Sequence, residues 1–267
     1  LHTWLGVNSP SKSLSDFISR ETLNISKLLV PTNIPGLSLI SGAKDGVEIA
    51  NLKYTQKRRF LSALRNMDAD YIVIDLGAGT SYNTVDFFLL ADIQLMVVIP
   101  EPTSIENAYR FIKNSFFRQV FHNSKKFGLK SVVTPILRID NPYNITTPKT
   151  LIDYFNKLGG SKTVFIEEQL QIFMPKIILN QVRTEKDKLV GLAMKDACSK
   201  YFNINMTFLG YISEDESVWK SVLNRKPLAV ASPDSVPMQQ LKTICSDILL
   251  KETELTSKNN LLSKLAQ

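Results

Sequence analysis

Short apolar runs recur along the chain, with amphipathic stretches between them. The runs are GLSLIS (Gly36–Ser41), YIVIDL (Tyr71–Leu76), IQLMVVIP (Ile93–Pro100), KSVVTPILR (Lys130–Arg138), PKIILNQV (Pro175–Val182) and MTFLGYI (Met206–Ile212). Several are almost continuously apolar and β-branched, as parallel strands covered on both faces require. Between them the apolar positions repeat at helical spacing. Ile105, Tyr109, Ile112 and Phe116 share one face, as do Leu189, Ala193 and Ala197, and then Leu241, Ile244, Cys245, Ile248 and Leu249. A long helix is predicted over Val47–Met67. Residues 139–172 read as an elaboration, in which a polar loop leads to a helix start at Thr147–Pro148. Strand alternating with helix predicts an α/β protein with a doubly wound, mostly parallel sheet. With no internal repeat and no clear linker, residues 1–250 read as one domain and 251–267 as a tail.

Composition narrows the functions without naming one. Of 267 residues, 44% are hydrophobic and 21% charged, an ordinary globular balance. No apolar run approaches the ~18 residues of a membrane span. Cys198 and Cys245 both fall in helical patterns and read as small core residues. The histidines are His2 and His122, so neither a zinc site nor Ser–His or Cys–His catalysis has the spacing it needs. The net charge of +7, with basic clusters at Lys57–Arg58–Arg59 and Lys125–Lys126 and at Arg183, Lys186 and Lys188, suits either solvated helix faces or an anionic membrane or DNA.

Four segments carry candidate chemistry. In YIVIDLGAG, Asp75 lies at the C-terminal end of a predicted strand, ahead of Gly77 and Gly79. A carboxylate at that edge suits hydrated magnesium, and glycine amides approach a phosphate closely; capping the next turn is the ordinary alternative. In PEPTSIENAYRFIK (Pro100–Lys113), Thr103 and Glu106 have capping-box spacing. In IILNQVR (Ile177–Arg183), Asn180 lies near a strand end. Its amide can donate and accept together, which suits an adenine edge as well as it suits a loop backbone. In LGYISEDESV (Leu209–Val218), Glu214 and Asp215 follow a strand, and Asp215 and Glu216 are predicted to open a helix, where acids are favoured.

Taken in order, these segments resemble the MinD/ParA group of deviant-Walker P-loop ATPases, in the MinD-like branch that includes FlhG (FleN). YIVIDLGAG is similar to that family's switch II strand, VVIPEPTSIENAYRFIK to the strand and helix after it, IILNQVR to the strand whose Asn recognises adenine, and LGYISEDESV to the adenine loop G-x-I-P-E-D-x-x-V. The resemblance implies ATP and Mg2+ as cofactors. Asp75 would bear on magnesium through water or on the attacking water, Gly79 on the γ-phosphate and Asn180 on adenine, with Arg183, Glu214 and Asp215 lining the base pocket. It also implies a homodimer formed on ATP binding, an unidentified protein partner, and a cytoplasmic protein with peripheral inner-membrane or non-specific DNA contact left open. The tail Lys251–Gln267, with Leu255, Leu262 and Leu265, is a weak amphipathic candidate for such contact.

Two departures stand out. Ser213 replaces the adenine loop's usual proline. The family's phosphate loop, K-G-G-x-G-K-[ST], has no counterpart among the 267 residues. Its absence suggests that about forty residues of the family pattern, the first βαβ segment, lie upstream of Leu1. The protein then reads as a positioning or partitioning ATPase of the flagellar, division or chromosome-placement type, here as an inactive fragment. The alternative is a non-catalytic adaptor that uses the same fold to bind a protein or DNA. Without its first, central strand, the sheet is expected to leave unpaired edges and uncovered apolar surface.

Overall fold

A computed structural model describes residues 2–5, 7, 12–42, 54–138 and 140–265, with the side chains of 54, 58 and 251–265 outside the description. The chain forms two compact units, Leu1–Asp75 with Glu216–Ser235, and Leu76–Asp215 with Val236–Gln267.

In the first unit a short helix α1 (Leu14–Ile18) and a 3-10 turn (Ile25–Leu28) precede an antiparallel ribbon of β1 (Val30–Pro31) and β2 (Ser38–Leu39). The predicted strand 36–41 thus shrinks to two residues. Helix α2 (Tyr54–Arg65) occupies the later part of the helix expected over 47–67, whose residues 47–53 lie outside the described ones. Phe17 meets Phe60 edge to face, with ring centroids 6.4 Å apart. Arg59, from the basic cluster, turns inward: it lies over the Phe17 ring and donates to the carbonyls of Phe17 and Ile18. The unit also holds α9 (Glu216–Leu223) and α10 (Leu228–Ala231). Trp4 Nε1 donates to the carbonyls of Ser221 at 3.3 Å and Lys226 at 3.1 Å, satisfying acceptors at the end of α9.

The second unit is built on a parallel three-stranded sheet, ordered β3 (Leu95–Val98), β4 (Lys176–Val182), β5 (Thr207–Ser213). Around it run α3 (Tyr82–Leu90), α4 (Pro102–Ser124), α5 (Lys130–Ile136), α6 (Pro148–Leu158), α7 (Ser161–Ile172), α8 (Glu185–Ala197) and α11 (Val236–Leu265). Ile112 and Phe116 of α4, Phe155 of α6, Phe165 of α7 and Ile177 and Leu179 of the sheet are fully buried in one core. On the other face, Ile244 of α11 packs with Ile178 and Leu209. Helices on both faces of a parallel sheet are the predicted α/β arrangement. The Thr147–Pro148 helix start holds, with Thr147 accepting from Thr150 N–H.

Two predicted strands are absent. Residues 130–136 are helical: Val133 and Ile136, three apart, are buried while Lys130 and Ser131 face water. A short apolar run fits either period, and here the helical face is the one that finds a core. Residues 71–77 form neither strand nor helix. Tyr71, Ile72 and Val73 are 66%, 43% and 91% exposed, because no strand among the described residues pairs with them. The capping box at Thr103 also fails. Glu101 is the N-cap of α4 with Pro102 in the first turn, Ser104 Oγ accepts from Ile99 N–H at 3.2 Å, and Glu106 pairs with Arg110 instead. Cys198 is buried, opening a π-helical turn, but Cys245 is exposed rather than core.

Two glycines permit close approach. A Cβ on Gly191 would lie 2.3 Å from the Phe208 ring, so α8 rests on β5 through that missing side chain. Gly210 has φ +140° at an irregularity in β5, and a Cβ there would lie 3.3 Å from Ile244.

Candidate functional site

The C-terminal ends of β3, β4 and β5 share one edge, the edge where open α/β sheets bind ligands. At the end of β4 the register with β5 breaks: Leu179 pairs with Tyr211 and Val182 with Ser213, so Asn180 and Gln181 together face Ile212. Gln181 takes a left-handed φ of +56°. This bulge re-aims the strand end. The half-buried Asn180 side chain makes no hydrogen bond among the described residues. It is not used to satisfy the loop backbone, so its donor and acceptor remain available.

Beyond the bulge the chain is tightly bonded. Glu214 N–H donates to Val182 O at 3.0 Å, carrying the β4–β5 pairing one residue further. Arg183 grips Glu214 with both arms, Nε to Oε2 at 2.5 Å and Nη2 to Oε1 at 3.2 Å. These bonds to Glu214, then its charge and that of Glu101, hold the guanidinium above its ordinary range. Glu101, the N-cap of α4, follows the C-terminal end of β3 and so stands at the same strand-end edge, although the sequence pattern did not single it out. The Asp187 carboxylate accepts from the N–H groups of Arg183 and Thr184, each at 2.9 Å, while Thr184 Oγ1 accepts from Asp187 N–H. This capping box fixes the start of α8, and the two backbone bonds hold the Asp187 carboxyl below its usual range.

Ser213, the departure in the adenine loop, has its own partner. Its N–H donates to Gln240 Oε1 at 2.8 Å, and Gln240 Nε2 donates to its Oγ at 2.9 Å. A proline could supply neither bond.

The structure thus brings Arg183 and Glu214 into contact, with Asn180 on the same strand and Asp215 next along the loop. Gly79, at φ +113°, lies just before α3, whose N-cap Ser81 accepts from Thr84 N–H at 3.2 Å; among the described residues no hydrogen bond joins Gly79 to the β4–β5 edge. Asp75 is exposed at the end of the first unit's leading segment, without a hydrogen-bond partner among the described residues. Among the described residues, no group of three His, Cys, Asp or Glu could hold a metal. Asp75 would therefore fit magnesium only as one carboxylate beside water and a nucleotide's phosphates, which is how that ion is commonly held. No described helix is long and apolar enough to cross a membrane.

This sheet and its surrounding helices have the fold of the MinD/ParA ATPases. The septum site-determining protein MinD of Pyrococcus horikoshii, solved with Mg-ADP, superposes with a TM-score of 0.55 at 15% identity, covering 93% of this chain and 77% of that one. The cell division ATPase MinD of Pyrococcus furiosus gives 0.54 at 16%, covering 93% and 79%. A ParA-family ATPase from Chlorobium tepidum gives 0.52 at 16%, covering 91% and 76%. In sequence, the chain is similar over part of its length to two further proteins. It is 38% identical over 84 residues to the flagellum site-determining protein YlxH of Helicobacter pylori, spanning 30% of this chain and 28% of that protein. It is 31% identical over 106 residues to the antiactivator FleN of Pseudomonas aeruginosa, spanning 39% and 38%. The chain thus aligns with well under half the length of these two relatives. No family model matches it.

Proposed function

We propose that the protein serves in an ATP-dependent positioning switch of the MinD/ParA kind, reading adenine at the C-terminal end of β4 and β5. The observation that carries this reading is Asn180: a half-buried amide at a strand bulge, with its hydrogen-bonding capacity unspent, beside the Arg183–Glu214 pair. An adenine edge offers one donor and one acceptor, which an amide can meet together. Arg183, Glu214 and Asp215 would wall the base. Gly79, with φ +113°, would bring its amide to the γ-phosphate, and Asp75 would bear on magnesium through water. ATP would supply the binding energy and the scissile bond. The lysines that neutralise phosphate in the family loop are not in this sequence, so hydrolysis is proposed only for a chain that carries that loop. Dimerisation on ATP binding and an unidentified partner complete the reading, which the likeness to FleN, YlxH and MinD supports.

Isothermal calorimetry of the full chain with Mg-ATP tests it. Measurable binding is expected, weakened about five-fold in Asn180→Ala, the worth of one hydrogen bond of about 1 kcal/mol. Asn180→Ala should narrow the difference in affinity between ATP and GTP, because only contact with the base is removed. Silence toward ATP up to about 1 mM, the weak end of specific binding, overturns the reading. Silence together with capture of duplex DNA or a protein would favour the adaptor.

A further inference from the structure

The loop that closes the candidate base site is held from outside. Ser213 ends β5, and its N–H and Oγ are both bonded to the Gln240 amide, at 2.8 and 2.9 Å. Gln240 stands on α11, four residues before Ile244 and eight before Ile248, so it continues the stripe that packs on the sheet. Gly210 lets that stripe approach closely, since a Cβ there would meet Ile244 at 3.3 Å. The next residue after Ser213 is Glu214, which receives both arms of Arg183 and donates its N–H to Val182. Fixing Ser213 therefore fixes where Glu214 and Asp215 stand.

We propose that Gln240 is a positioning residue for nucleotide recognition: its side-chain amide clamps Ser213, and thereby ties the Ser213–Asp215 loop to helix α11. The inference rests on the reading of this edge as an adenine site. A proline at this position would stiffen the loop through its own ring, whereas a serine leaves the backbone free. Here two hydrogen bonds from another element supply that stiffness. The same helix continues without a break to Leu265, so a displacement of α11 would carry the loop with it. By linkage, whatever orders the loop must bias α11 by the same amount.

The test uses the full chain as wild type, Gln240→Ala and Gln240→Glu. Glutamate keeps an acceptor for the Ser213 N–H and can take a hydrogen bond from its hydroxyl. Hydrogen exchange at the Ser213 amide should accelerate about five-fold in Gln240→Ala and return toward wild type in Gln240→Glu. The preference for ATP over GTP should fall about five-fold in Gln240→Ala and recover in Gln240→Glu. A general loss of folded protein would weaken both nucleotides equally and leave that ratio unmoved. Unchanged exchange at Ser213, or an unchanged ATP-to-GTP ratio in an ATP-binding protein, overturns the inference alone. A wild type that binds no nucleotide overturns the adenine reading and, with it, the role of Gln240 in recognition.

Discussion

Asp86 on α3 has 7% of its side chain exposed, and both its oxygens are taken by Arg118 of α4, at 2.8 and 3.1 Å. Arg118 is also stacked over Tyr82, with its guanidinium carbon 4.6 Å from the ring centroid. His122, one turn along α4, brings Nε2 to 3.7 Å from the same carboxylate. Removing the acid leaves a largely buried guanidinium without its counter-charge, which costs more than the pair itself is worth. Asp86→Ala is therefore expected to lower unfolding stability by about 3 kcal/mol, the lower end for such losses because the Arg118 side chain keeps 24% of its exposure. Chemical denaturation followed by circular dichroism measures it; a change under about 1 kcal/mol would show that water replaces the carboxylate. The two cysteines make a second residue-scale contrast. Burial pushes the Cys198 thiol up to about 12, while Cys245 is exposed on α11. Iodoacetamide at neutral pH should label Cys245 and spare Cys198 until the protein unfolds, as peptide mass mapping would report.

At the scale of elements, α8 shows how an end and a face are each specified. Its start depends on the Asp187 carboxylate, whose pKa is lowered from 3.8 by the N–H groups of Arg183 and Thr184. A carboxyl held low in the folded state adds stability above its ordinary range and loses it as pH falls through the folded value. The Thr184 amide resonance should therefore titrate below the usual carboxylate range in the wild type and lose that step in Asp187→Asn. Its face depends on Gly191. Alanine there would drive a methyl into the Phe208 ring, so Gly191→Ala should destabilise by about 1–3 kcal/mol, despite alanine's better helix propensity, as thermal melts would show. Strands β4 and β5 were legible because long apolar runs end at turn signals and have each other as neighbours. The run at 130–136 was not: Val133 and Ile136 fit a helical face as well as a strand, and burial decides only in three dimensions. The run at 71–76 reads as a buried strand, yet its burial needs a neighbouring ladder that no local pattern can reveal. Of the proposed site, the strand-end position of Asn180 and the acidic loop at Glu214 and Asp215 were legible in the local pattern, whereas a base-pocket role for Arg183, Glu214 and Asp215 came only with the family resemblance. Gln240, 27 residues from Ser213, and Glu101, which reads as the start of a helix, carried no local signal for it.

For the whole molecule, what matters is where apolar surface remains open. Tyr71, Ile72 and Val73 are exposed in the first unit. In the second, β3 is an outer strand of the sheet, with Leu95 38% and Val97 60% exposed while Met96 and Val98 are buried. A strand that has no neighbour on one side among the described residues, with uncovered side chains, invites pairing with another chain. The net charge of +7 opposes that association, because copies of the chain repel one another. Repulsion between exposed charges is screened beyond about 8 Å at physiological ionic strength and beyond about 3 Å at 1 M, whereas apolar contact is not weakened by salt. Self-association should therefore grow as salt is added, the reverse of what an ion-paired interface would do. Val97→Lys, which puts a charge on the open side of β3, should suppress it while changing stability by less than about 0.5 kcal/mol, since the side chain it replaces faces water. Val73→Lys should reduce binding of the dye ANS, which reports exposed apolar surface. Sedimentation velocity across a salt series reads the first effect and dye fluorescence the second. A protein that stays monomeric at high salt and leaves the dye dark would show that these side chains are covered in solution, by a segment that pairs with β3 or by a rearranged sheet edge.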